Sequence, residues 1–266
     1  MATIKSLLLN PLSSLGNFFH LIFSVVWVSM RRAPEWQLIR DQMYEMGVLS
    51  LPVVAITGFS TGMVLAAQSF FQLSDKGLAS ATGLMVAKAM LMELGPVLTA
   101  FMVTGRVGAA MCAELGTMRV TEQIDAMKSM AVDPLHYLVA PRFISGTLML
   151  PLLTVFSTIM GIFGGYIMAV GYYNMPGNTF LDPMRLHIET FDLLSGLVKA
   201  FAFGIIIVTI SCYRGLHTRG GAAGVGRATT NSVVVCYSVI LIANFLITLG
   251  LNNFHNSINQ LLDYWF

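Results

Sequence analysis

Charge is scarce in this sequence. Asp, Glu, Lys and Arg make up 11% of its 266 residues, against about 25% in an ordinary soluble domain. That excludes a water-exposed globular surface of the usual kind. With a mean hydropathy of +0.73 it points to an integral membrane protein. The uncharged runs are of helix length, about 20 residues or more, rather than the short alternating segments of barrel strands. Cysteine is also sparse. Cys112, Cys212 and Cys236 lie far apart, which excludes a CxxC redox pair or a cysteine-based zinc cluster, and they read as small packing residues. No G-x-x-x-x-G-K-[ST], H-E-x-x-H or G-x-S-x-G occurs. The Gly-rich stretch 220–226 lacks the Lys and Ser/Thr that hold phosphate and Mg²⁺, so it reads as a flexible loop. Neither a catalytic site nor a bound cofactor or metal is expected in this chain, and no nucleic-acid partner. Ser29-Met30-Arg31 is not a small-x-small cleavage site, so no removable signal peptide is expected.

What is present is a succession of apolar runs. Residues 12–30 are about 19 long, at the lower limit for crossing a bilayer. Leu12, Leu15, Phe19, Ile22 and Val26 form one stripe, so the segment reads as an in-plane interfacial helix within an N-terminal segment 1–45, with a sixth span as the alternative. Five spans follow within a permease domain 46–266: Met46–Leu73, Ala79–Gly105, Phe143–Tyr172, Leu193–Tyr213 and Thr229–Leu251. The predicted fold is therefore all-α, with five membrane helices, an interfacial helix and a cytoplasmic helical segment over about 106–142. Gly58, Gly62 and Ala66 repeat at one-turn spacing in the first span, a stripe that lets another helix approach closely. Segments 106–142 and 214–228 are rich in Lys and Arg, as is the segment before the first span, while the other two connections hold only Lys76 and Arg185. The positive-inside rule then puts the N-terminus in the cytoplasm and the C-terminus outside.

Three ionisable groups lie within the spans: Lys88, Glu93 and Lys199. Each costs roughly 2.5–3.5 kcal/mol to insert at mid-membrane, so each needs a partner or a task. Lys88 is about 140° around the helix from Glu93 at 100° per residue. Lys199, from another span, is therefore the expected partner of Glu93. Gly95-Pro96 follows at once and interrupts the helix, because proline has no N–H and clashes with the Met92 carbonyl. Further on, Thr121–Ala131 reads as a short surface helix. Thr121 is its expected cap, Glu122 and Asp125 suit its N-terminal dipole, and Ile124 and Met127 form an apolar face for a cytoplasmic partner.

Taken together, E93-L-G-P-V-L-T-A, G105-R-V-G-A-A, A113-E-L-G-T-M, T121-E-Q-I-D-A with V132-D-P, and G224-V-G-R-A-T-T resemble the signature of the MlaE family of ABC-transporter permeases. The likeness covers nearly the whole chain. It implies a homodimeric permease in the inner membrane of a diderm bacterium, moving phospholipids or related lipids between the inner and outer membranes. It also implies cytoplasmic ABC ATPase subunits that hold ATP and Mg, a STAS-domain protein, and a periplasmic MCE-domain protein. The segment around Glu114–Met130 would be the coupling helix. Glu93, Lys199 and Asn244 would be polar groups near the lipid cavity. Two departures stand out: some members carry an arginine where this chain has Met92, and some a carboxylate where it has Asn244. Lys88, one turn before Met92, is the expected replacement cation. The competing reading is a self-contained secondary transporter or channel that uses Glu93, Lys88 and Lys199 for ion coupling.

Overall fold

The computed structural model describes residues 34–265, so the expected interfacial helix over 12–30 lies outside the described residues. Among the described residues there is no strand. The helices are α1 (Trp36–Met46), α2 (Leu51–Ser74), α3 (Thr82–Ala89), α4 (Gly95–Val103), α5 (Ala109–Val120), α6 (Gln123–Ser129), α7 (Ala140–Tyr166), α8 (Gly177–His187), α9 (Thr190–Leu216) and α10 (Gly221–Trp265). Four π-helical turns are set among them, Met90–Leu94, Thr104–Gly108, Leu135–Val139 and Ile167–Tyr172. Among the described residues, five stretches are long and apolar enough to cross a bilayer: Trp36–Ser74, Ala79–Val120, Leu135–Tyr172, Thr190–Leu216 and Gly221–Ser257. The protein is thus an all-α, multi-pass membrane protein.

The helices outrun every predicted span, the second only at its C-terminal end and the third only at its N-terminal end. Charge marks where a span meets water, but nothing in residues 106–120 or 221–228 stops a helix. The Gly-rich stretch is accordingly not a loop: it forms the first turns of α10. Gly220, just before it, and Gly221, its first residue, make the turn into the helix at φ +93° and +65°. Gly224 is required for a different reason, since a Cβ there would collide with the Arg219 carbonyl.

The chain divides into two compact units. One contains the described part of Met1–Met46 together with Thr104–Thr147 and Ile205–Cys236. In it α1 buries Ile39 and Met46. The Ser145 hydroxyl donates to the Ile39 carbonyl at 3.0 Å, and the Arg106 guanidinium to the Glu45 carbonyl at 3.0 Å. Gly215 packs against Cys112 and Leu115, where a Cβ would lie 2.7 Å from the Leu115 side chain.

The other unit contains Gly47–Val103, Leu148–Gly204 and Tyr237–Phe266. Its framework is the contact of α2 with α7. Gly58, Gly62 and Ala66 are all buried on α2. A Cβ on Gly58 would sit 2.6 Å from the Ser157 carbonyl oxygen, and one on Gly62 would fall inside the Gly161 backbone. The small-residue stripe read from the sequence therefore brings two backbones into contact. The polar stretch between the third and fourth spans contributes α8, a helix the composition of 173–192 does not announce. Its Phe180 and Met184 pack into a cluster with Ala87, Ala169 and Met175.

Replacing Gly62 with leucine is expected to destabilise the protein by at least the roughly 1–3 kcal/mol of ordinary overpacking, because the obstacle is backbone. Gly250, which has no neighbour within 4 Å, should accept alanine without loss. Thermal unfolding in detergent checks both; an unchanged midpoint for Gly62→Leu would contradict this packing.

Candidate functional site: a charge cluster beside a broken span

The second membrane stretch changes register just where the sequence places Gly95-Pro96. Over Met90–Leu94 the helix widens to a π turn, and the Gly95 N–H bonds back five residues to the Met90 carbonyl. The interruption is therefore a π-bulge together with a proline, rather than a simple proline kink. Pro96 has no N–H to offer the Met92 carbonyl, four residues earlier. That oxygen instead accepts a hydrogen bond from the Lys199 ammonium, at 2.8 Å.

Lys199 reaches this position from α9 because Gly196, one turn earlier, allows close approach. A Cβ on Gly196 would run into the Leu91 carbonyl. The ammonium also donates to Glu93 Oε1 at 2.6 Å. α10 completes the cluster with two residues one turn apart. Asn244 Nδ2 donates to Glu93 Oε2 at 2.9 Å. The Thr248 hydroxyl lies 3.1 Å from Glu93 Oε1 and 2.8 Å from the Asn244 carbonyl, with one hydrogen to share between them. Burial is uneven: the Lys199 side chain is 1% exposed and that of Glu93 38%. Asn244 Oδ1 is buried with no partner among the described residues.

Lys88 is not part of this cluster. Its ammonium is 3.3 Å from Asp192 Oδ2, and Asp192 also accepts the Glu189 N–H at 3.1 Å. The expectation that Lys88 stands in for a cation at Met92 is corrected by this pairing. The backbone neighbour of Met92 is Lys199, and Lys88 is drawn to a carboxylate at the start of α9. Thr248 and Gly196 are not singled out by the sequence, and Asp192 reads there only as one acid of the polar connection 173–192. Thr248 stands four residues after Asn244, and that spacing was the available signal.

The segment after the second span is held by ion pairs of its own. The Arg142 side chain, 6% exposed, donates to Glu114 Oε2 at 2.7 Å. Arg119 Nη1 donates to Asp125 Oδ1 at 2.6 Å, with Lys128 at 3.6 Å from the same oxygen. The Arg119 hydrogen bond holds the Asp125 carboxyl below its ordinary range. This clasp is fully present above the usual carboxylate range and is lost as pH falls through the lowered value. Thr121 does not cap α6; its hydroxyl donates to the Thr117 carbonyl. Glu122 occupies the cap position at φ +60°, exposed and without a side-chain cap bond. A left-handed residue here separates α5 from α6, and the hydroxyl is already engaged behind it. Ile124 is buried within the chain, so the face expected to be free shifts to half-buried Met127 and to Met130, 68% exposed.

Comparison with known proteins adds a second line. Residues 39–249 match the family described as Permease MlaE. The chain belongs to the MlaE permease family. This permease is 45% identical over 237 residues to a probable ABC transporter permease protein of Rickettsia conorii, covering 88% of this chain and 91% of that one. It is 33% identical over 236 residues to the intermembrane phospholipid transport system permease protein MlaE of Haemophilus influenzae, covering 88% and 90%. It is also 36% identical over 213 residues to the chloroplastic protein TRIGALACTOSYLDIACYLGLYCEROL 1 of Arabidopsis thaliana, covering 80% and 61%.

In this MlaE-family chain the two ions depend on each other unequally. Removing one partner of a buried pair costs about 3–5 kcal/mol, because the other charge stays uncompensated. Glu93→Gln strands the buried ammonium and should fall in that range. Lys199→Met leaves a part-exposed carboxylate with Asn244 and Thr248 as donors, and should cost less. The double variant should be more stable than Glu93→Gln alone. Thermal midpoints of the three variants measure this, and strictly additive losses would show that the pair is not coupled.

Proposed function

We propose that this protein is the membrane-embedded permease subunit of an ATP-driven ABC transporter that moves phospholipids or related lipids between the inner and outer membranes. The observation that carries the proposal is the Glu93–Lys199 pair, buried beside a broken span, in a chain of the MlaE family. An ion pair kept within a membrane span at this cost suits a polar patch for lipid headgroups. Glu93 remains part-exposed although it receives three donors. The adjoining π-bulge and Pro96 leave fewer helical hydrogen bonds to resist a shift of the segments on either side.

Energy would come from elsewhere. ATP and Mg belong to cytoplasmic ABC ATPase subunits, since the sequence offers no phosphate-binding loop. α6, braced by the Asp125 clasp, would dock in an ATPase groove through Met127 and Met130, with Glu114 fixing the approach through Arg142. The permease would work as a homodimer, with a periplasmic MCE-domain protein and a STAS-domain protein as further subunits. Apolar side chains exposed on α10, among them Ile242, Phe245 and Leu246, offer surface for lipid or a second copy. The Lys/Arg-rich segments support a cytoplasmic N-terminus and a periplasmic C-terminus in the inner membrane.

The test is at α6. Met127→Asp and Met130→Asp should leave insertion intact but reduce co-purified ATPase, and lipid-stimulated ATP hydrolysis, by roughly ten-fold or more, as a buried unpaired charge does. Full ATPase recovery and full stimulation in both variants would remove α6 from the mechanism.

A further inference from the structure

α9 ends at Leu216 and α10 begins at Gly221, so only residues 217–220 join the fourth span to the fifth. A cavity of about 310 Å³ lies at this junction, at the small end of the roughly 300–1,000 Å³ usual for ligand pockets. Arg214, His217, Thr218, Arg219, Arg227 and Asn231 are among its lining residues. Three arginines thus border one small space. Among the described residues none of the three pairs with a carboxylate, whereas Arg119, Arg142, Lys88 and Lys199 all do. Gathering like charges around a cavity is unfavourable unless an anion joins them.

The surrounding geometry suits a phosphate. Arg227 folds back over the turn, its Nη2 lying 3.6 Å from where a Gly220 side chain would begin. Arg214 is half-buried and Thr218 buried, its hydroxyl fixed on the Arg214 carbonyl at 3.0 Å. His217 directs Nδ1 to the Tyr213 carbonyl at 2.8 Å, and its ring packs on that of Tyr213 with centroids 4.4 Å apart, which holds one wall. Guanidinium forks match phosphate oxygens in pairs. The cavity sits where two apolar stretches of span length, Thr190–Leu216 and Gly221–Ser257, are joined, and basic pockets between spans are suited to anionic lipid headgroups.

We propose that this cavity binds the phosphate of an anionic phospholipid headgroup, held by Arg214, Arg219 and Arg227, as a resident lipid. None of these residues belongs to the Glu93 cluster, so the site is separate from the proposed transport path and rests only on the membrane-spanning fold. Soluble phosphate shares the same chemistry, and position alone favours the lipid.

The full-length protein, purified in detergent and delipidated, is titrated with phosphatidylglycerol, with phosphatidylcholine and with inorganic phosphate, and bound species are counted by native mass spectrometry. Phosphatidylglycerol should be retained over phosphatidylcholine. Affinity should fall about five-fold for each arginine neutralised in Arg227→Gln and Arg219→Gln/Arg227→Gln, at roughly 1 kcal/mol per basic side chain. Both residues are exposed, so the variants should fold, and Arg40→Gln serves as a control for unspecific charge. Equal retention of the two lipids would overturn the proposal, as would equal losses in the Arg40 control. Saturation by inorganic phosphate without phosphatidylglycerol retention would assign the cavity to a soluble anion and overturn the lipid assignment.

Discussion

The Lys199 ammonium is almost completely buried, with the Glu93 carboxylate on one side and the Met92 carbonyl on another. Much of the unit around it follows from keeping that charge satisfied. Proline at position 96 leaves the carbonyl without its usual α-helical donor. Gly196 brings α9 near enough for Lys199 to supply one. Asn244 and Thr248 occupy lone pairs of Glu93 that a single lysine cannot reach. Each element has a simple chemical reason, and together they turn a helix defect into a binding position for a cation.

Packing elsewhere in that unit obeys a different constraint. Without water between spans, helices gain from close backbone approach rather than from the hydrophobic effect. Gly58 against Ser157 and Gly62 against Gly161 achieve that approach. The contact supplies a rigid frame for α7, whose Thr158 hydroxyl in turn donates to the Met90 carbonyl at 3.4 Å. The π-bulge is thus steadied from α7 as well as from Lys199.

The sequence displayed some of this and concealed the rest. Five spans were legible because charge is almost absent from them, and the Gly58/Gly62/Ala66 stripe because its period is one turn. Lys199 was separable from Lys88 by helical angle alone. The true partner of Lys88 was not legible: Asp192 stands in an acidic connection, where solvent is the natural assumption, but it falls in the first turn of α9 and is buried there beside Lys88. The π turns were hidden because no residue type demands them. The helical start of α10 was obscured by glycines, whose weak propensity is overruled here by the close packing of Gly224 on Arg219. At α6 the apolar spacing was readable, but the inward turn of Ile124 follows from a left-handed Glu122 that spacing does not encode.

The central claim is that the Glu93–Lys199 cluster serves lipid movement and not the fold alone. The most direct measurement is ATP-dependent phospholipid transfer by the transporter reconstituted in liposomes, carrying Glu93→Gln and normalised to assembled complex with its ATPase bound. A fall of at least about ten-fold per complex is predicted, corresponding to 1.4 kcal/mol or more. A wild-type transfer rate per assembled complex would contradict the account and leave the ion pair as scaffolding.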